Sequence, residues 1–154
     1  MKRDLITFVI ETERFAIDVK VVREIRAWTP GTRLPSAPHY FAGVMNLRGV
    51  VIPVIDLAAR IGWKPTEATE RHAIIVIELA GKLCGLIVDE VSDIASIEPD
   101  AVQARPVEAG DKVGEFLEGL ATIDDKLVLV LAPDALGEAS KLVDEAQIAQ
   151  ATAA

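Results

Sequence analysis

Cysteine is nearly absent: Cys84 stands alone among 154 residues. One thiol excludes an internal disulfide framework and is compatible with a reducing compartment. It lies in Leu83-Cys84-Gly85-Leu86-Ile87-Val88, where it reads as a small buried hydrophobe rather than a nucleophile. Aromatics make up 5% of the chain against 51% hydrophobic residues, so the core is mainly aliphatic. Histidine occurs twice, as His39 and His72, neither with partners at metal-ligand spacing. No apolar run approaches the roughly 20 residues that span a bilayer. Met1-Lys2-Arg3-Asp4-Leu5 runs straight into a strand-like segment without a signal-peptide pattern. A Gly-rich phosphate cradle and a Gly-x-Ser-x-Gly elbow are both missing. The paired acids Asp89-Glu90 and Asp124-Asp125 sit at turns, where solvation accounts for them. Nothing positive points to an enzyme, a cofactor or a metal.

Charge is uneven. The net formal charge is −8; residues 1–70 hold 10 Lys/Arg against 8 Asp/Glu, and residues 71–154 hold 6 against 16. Without a basic stripe the chain is a poor nucleic-acid binder, and it lacks the polybasic cluster of a membrane-surface protein. The asymmetry suits either a protein partner or a solvated acidic half.

At this length one globular unit with a real core is expected. Residues 5–10 read as a strand, residues 11–14 as a polar turn and residues 15–17 as the returning strand. Asp18 is placed to cap one helical turn through Val21. Residues 22–26 read as a half-buried strand, the runner-up being a helix over 18–28. Pro30, Gly31, Pro35 and Pro38 make 29–39 a loop, which Tyr40-Phe41 anchors to the core.

Two apolar runs then flank Asn46-Leu47-Arg48-Gly49, the signature of a tight hairpin with Gly49 left-handed. Its second arm, residues 50–55, does not alternate and reads as a strand buried on both faces. Pro53 belongs at an edge or bulge. Residues 56–61 suit a helical turn closed by Gly62.

The pattern then repeats: strands over 73–79 and 83–88, Asp89 in the place of Asp18, and Val91-Ser92-Asp93-Ile94 in the place of Val22-Arg23-Glu24-Ile25. A hairpin over 119–131 mirrors the one that starts at Gly43. Spacings are 68 residues (Phe15 to Leu83) and 76 (Gly43 to Gly119). The expected fold is all-β, with two similar barrels of about five strands sharing apolar surface as one unit. The halves run over about 5–70 and 71–137. A short C-terminal helix is expected within 138–154. The second hairpin carries Asp124-Asp125 at its tip where the first presents Arg48. The architecture needs the hairpin twice and the arginine once, which favours Arg48 as a contact residue over a solvated turn residue.

Four segments in register resemble the CheW family of chemotaxis coupling proteins. They are Leu34-Pro35 through Tyr40-Phe41-Ala42-Gly43-Val44-Met45-Asn46-Leu47-Arg48-Gly49-Val50-Val51-Ile52-Pro53-Val54-Ile55-Asp56-Leu57; Ile17-Asp18 with Val22-Arg23-Glu24-Ile25; Gly85-Leu86-Ile87-Val88-Asp89-Glu90-Val91-Ser92-Asp93; and Phe116-Leu117-Glu118-Gly119-Leu120. The resemblance covers about residues 5–137. It implies two SH3-like five-stranded β-barrels and a non-catalytic, cytoplasmic adaptor. Such an adaptor links the cytoplasmic tip of a chemoreceptor to the regulatory domain of the histidine kinase CheA, in membrane-associated arrays. A scaffold in a non-motility chemosensory pathway is the alternative. The resemblance also implies roles for residues. Glu24 and Arg48 match charged receptor-contact positions, and Val22 and Ile94 match apolar positions lining a groove between the barrels. Asn46 and Gly49 complete the tip motif. Gly43 and Gly85 match glycines linked to kinase binding, or serve the strands alone.

Overall fold

The structure, a computed structural model, describes residues 2–32, 37–104 and 113–136. The expected C-terminal helix lies outside these residues. Among the described residues ten strands follow in order: β1 (Arg3–Ile10), β2 (Glu13–Asp18), β3 (Val22–Ala27), β4 (Phe41–Leu47), β5 (Val50–Asp56), β6 (Ala73–Leu79), β7 (Lys82–Val88), β8 (Glu90–Ile97), β9 (Leu117–Ile123) and β10 (Lys126–Leu131). One short helix, α1 (Leu57–Arg60), follows β5. The expected cap forms: the Asp18 carboxylate accepts the Lys20 backbone N–H at 2.9 Å and starts a 3-10 turn over Val19–Val21. Residues 22–27 are strand, not helix, and the first turn is tighter than expected, since Ile10 already pairs with Glu13.

The strands form two five-stranded sheets, ordered β8-β1-β2-β10-β9 and β3-β6-β7-β5-β4. Adding five to each strand of the first half, or subtracting five in the second, turns one order into the other. The repeat seen in sequence is therefore also a repeat in topology. It is not the spatial unit, however. Each sheet mixes strands of both halves, because β1 and β2 pair with β8 and β10 while β3 pairs with β6. The short-range pattern finds hairpins; which hairpins come together depends on contacts far apart in sequence.

The equivalence extends to irregularities. Arg23 in β3 and Ser92 in β8 are the extra residues of matching bulges. Ala42 in β4 and Glu118 in β9 are another such pair. Register places Gly85 against Val54 where Ala16 stands against Val130.

Continuous apolar runs follow from this arrangement. In β6, Ile75 and Ile77 face a large cluster shared between the sheets, while Ile74 and Val76 face a smaller cluster belonging to their own sheet. Phe8, Phe15 and Ile17 meet the shared cluster from the other sheet, whose own interior holds Leu5, Ala16, Val128 and Val130. Such strands have no solvent face and need no polar alternation. Phe8 stacks on Phe15 and Trp63 meets Phe15 edge-on, with ring centroids 5.8 and 5.5 Å apart. Arg60 of α1 lies between the rings of Tyr40 and Phe116, 4.7 and 4.6 Å from their centroids, joining the segments that lead into β4 and β9.

Pro53 departs from expectation. It stands in β5, an interior strand, but one residue before β5 begins pairing with β7. Its missing N–H therefore falls where only β4 runs alongside. The Cys84 thiol is buried, and burial pushes its pKa up to about 12, which makes it inert at neutral pH.

Candidate functional site

The tip of the β4–β5 hairpin is a two-residue turn in which both central residues have positive φ, Arg48 at 50° and Gly49 at 90°. This mirror-image turn matches the twist of the flanking strands. Asn46 locks it: its side-chain oxygen accepts the Gly49 N–H at 2.7 Å. The Arg48 guanidinium thereby projects from a fixed base, with its side chain 71% exposed.

Its partner comes from the far end of the same sheet. β3 and β4 are the two edges of their sheet, yet Arg48 donates to both Glu24 carboxylate oxygens, at 2.9 and 3.3 Å. The sheet must curl until its ends meet. The bulge at Arg23 shifts the register between Val22 and Glu24, and the Arg23 guanidinium pairs with Glu78 of β6. Arg26 approaches Glu24 at 4.0 Å. The hydrogen bond from Arg48, reinforced by its charge, holds the Glu24 carboxyl below the ordinary carboxylate range; Glu24 raises the Arg48 pKa in turn.

These residues border an open concavity of about 550 Å³, whose remaining walls include Leu47, Val50, Lys82 and Leu83. Polar and apolar groups both line it, and Val50 is 48% exposed. The arrangement suits a protein surface held by an apolar centre and oriented by charge. Among the described residues no three His, Cys, Asp or Glu side chains are grouped to hold a metal ion.

The sequence-derived residues divide accordingly. Glu24, Asn46 and Arg48 come together. Val22 lies beside them at the start of β3, half-buried against the shared core. Ile94 does not join them; it stands on β8 in the other sheet, 61% exposed. Gly43 has φ +144°, and a Cβ there would lie 2.8 Å from the Thr32 carbonyl oxygen. At Gly85 a Cβ would lie 2.8 Å from Ile74 Cγ2. Each glycine thus has a packing reason, the backbone of the Thr32 segment at Gly43 and the Ile74 side chain at Gly85. Arg23, Glu78 and Lys82 were missed in the sequence. Glu78 and Lys82 sit in a hairpin 55 or more residues from Arg23, and only the β3–β6 pairing brings them near.

The CheW-like domain model matches residues 4–141. A probable chemotaxis protein CheW from Rhizobium etli is 44% identical over 134 residues, covering 87% of this chain and 86% of that protein. Chemotaxis protein CheW from Rhizobium meliloti is 40% identical with the same coverage. Among solved structures, the scaffolding protein TtCheW from Thermoanaerobacter tengcongensis superposes with a TM-score of 0.77 at 32% identity, covering 86% of this chain and 85% of that one. A family match across nearly the whole described fold, with relatives this similar over most of their length, shows that the chain belongs to the CheW family of chemotaxis adaptor proteins.

Proposed function

We propose that this chain couples the cytoplasmic tips of chemoreceptors to the regulatory domain of the histidine kinase CheA, as a non-catalytic adaptor in higher-order signalling arrays. The relatives are chemotaxis proteins, which favours that output over a non-motility one. On this reading the protein is cytoplasmic and is recruited to membrane-associated receptor clusters. Each curled sheet is taken as an SH3-like barrel, supported by the separate apolar cluster that each one encloses.

The observation that carries the reading is the Glu24–Arg48 pair at the rim of an open, partly apolar concavity. So exposed a pair contributes little to stability, so the fold does not require it. The turn backbone would accept Asp at less cost, as Asp124 does in the β9–β10 turn, so Arg48 is there for its reach and charge. Receptor tips are helical. A helix face would bury the exposed Val50 for affinity, while Glu24 and Arg48 set its register. Val22 and Asn46 support this site from behind. Gly43 and Gly85 are assigned to the strands rather than to kinase contact, and Ile94 to a separate surface.

A pull-down with the CheA regulatory domain, with and without a receptor tip fragment, tests the pairing. The adaptor reading expects retention by each alone and a ternary complex with both. Retention by neither would remove it.

A further inference from the structure

Where the two halves meet, one position breaks the repeat between them. Tyr40, just before β4, and Phe116, just before β9, are equivalent, as the matching bulges at Ala42 and Glu118 require. Each is fastened to its own sheet. The Tyr40 carbonyl accepts the Asp56 N–H at the end of β5, and the Phe116 carbonyl accepts the Ala132 N–H just after β10, both at 2.8 Å. Both rings are buried in the shared apolar cluster. After β5 comes α1, and after β10 the equivalent 3-10 turn Pro133–Leu136. The same spacing sets Arg60, the last residue of α1, against Leu136, which is fully buried. Where one half supplies a leucine, the other places a guanidinium between the two rings, 4.7 Å from the centre of Tyr40 and 4.6 Å from that of Phe116.

Burial alone does not select arginine here. A leucine would fill the space without drawing a charge partly out of water. What arginine adds is direction. The face of each ring carries the negative part of its quadrupole, so a cation between them attracts both faces and holds them turned toward it. The rest of the shared cluster is mainly aliphatic, and its attraction is non-directional. Tyr40 and α1 adjoin strands of one sheet and Phe116 adjoins a strand of the other, so turning one sheet against the other moves the Phe116 ring off the guanidinium. We propose that Arg60 is a positioning residue: it fixes the angle between the two sheets, and with it the relation between the surfaces they carry. The inference rests on the adaptor reading for what that relation serves. The Glu24–Arg48 surface stands on one sheet, and Ile94 and Leu127 are exposed on the other. A partner held on one sheet influences a partner held on the other only while the angle between the sheets is kept. Arg60 itself stands outside the Glu24–Arg48 concavity.

Arg60→Leu and Arg60→Lys, compared with wild type in the full chain, test it through two readouts. The first is the angle itself. Nitroxide labels on Ala27→Cys of β3 and Thr122→Cys of β9, both exposed positions, let pulsed dipolar spectroscopy read the separation of the sheets. The native Cys84 is buried, so labelling is confined to the introduced thiols. Wild type is expected to give one narrow distance distribution and Arg60→Leu a broader or displaced one. Arg60→Lys, which keeps a cation between the rings, should stay close to wild type. The second readout is coupling. Arg60→Leu should bind a receptor tip fragment and the CheA regulatory domain, each alone, with wild-type dissociation constants. It should nonetheless lower receptor-dependent kinase activation about fivefold or more, a loss of coupling free energy without a loss of contact, and Arg60→Lys should restore activation. If Arg60→Leu fails to fold by circular dichroism, Arg60→Gln takes its place with the same expectations. An absence of activation by wild type counts against the adaptor reading and leaves the distance distribution to decide the role of Arg60. An unchanged distribution overturns the inference. So do full activation by the folded leucine variant, binding and activation lost together, and a lysine variant that behaves as the leucine variant does.

Discussion

At the scale of single residues, backbone conformation separates what serves the fold from what serves contact. Gly43 combines φ +144° with a close approach to the Thr32 carbonyl, and both demands fall on the same missing side chain. Gly43→Ala is expected to lower unfolding free energy by about 1–3 kcal/mol, from strain and displacement of the paired segment. Urea denaturation measures it, and an unchanged midpoint would show that the segment around Thr32 yields freely. The left-handed Gly49 was legible in the sequence, since turn chemistry is local. The partner of Arg48 was not. Glu24 lies 24 residues earlier, and the two meet only because the edges of a five-stranded sheet are brought round to each other.

At the scale of elements, strand identity and hairpin pairing were readable, because each hairpin is closed by a two-residue turn between adjacent apolar runs. The exchange of strands between halves was not, because it is set by contacts distant in sequence, such as Ala27 with Ala73 in one sheet and Thr7 with Asp93 in the other. One side-chain clamp spans such a distance. Arg3 of β1 donates to Asp18 of β2 at 2.8 Å and reaches Glu118 at the bulge of β9 with both terminal nitrogens. Burial pushes the Asp18 carboxyl up, but the Lys20 N–H and Arg3 outweigh it and hold the carboxyl below its ordinary range. Because the folded pKa is depressed, the stabilisation is complete above the ordinary carboxylate pKa of about 4 and is lost as pH falls through the lower folded value. Arg3→Leu should therefore shift acid unfolding to higher pH. Circular dichroism followed from neutral pH downward reads this; coincident acid midpoints for variant and wild type would show that the clamp contributes nothing.

At the scale of the whole molecule, the large apolar cluster belongs to both sheets, and neither half of the chain holds a complete sheet. The two sheets should therefore unfold in a single transition. Trp63 packs on the shared cluster and Trp28 on the cluster of the β3-β6-β7-β5-β4 sheet, so each reports a different region. Their fluorescence, isolated with Trp28→Phe and Trp63→Phe, should give the same midpoint in each variant as far-UV circular dichroism. Separate midpoints within one variant would mean that the sheets are independent. A single rigid unit suits an adaptor, because surfaces on different sheets then keep a fixed relation when partners bind.

The central claim is that Arg48 is kept for contact and not for the fold. The direct measurement is receptor-dependent kinase activation in a reconstituted mixture of receptor, CheA and this protein, with Arg48→Glu set against wild type. This account predicts a loss of activation of about tenfold or more, corresponding to about 1.4 kcal/mol of lost contact free energy, with a thermal midpoint close to that of wild type. Full activation by Arg48→Glu would contradict it and return Arg48 to the status of a solvated turn residue.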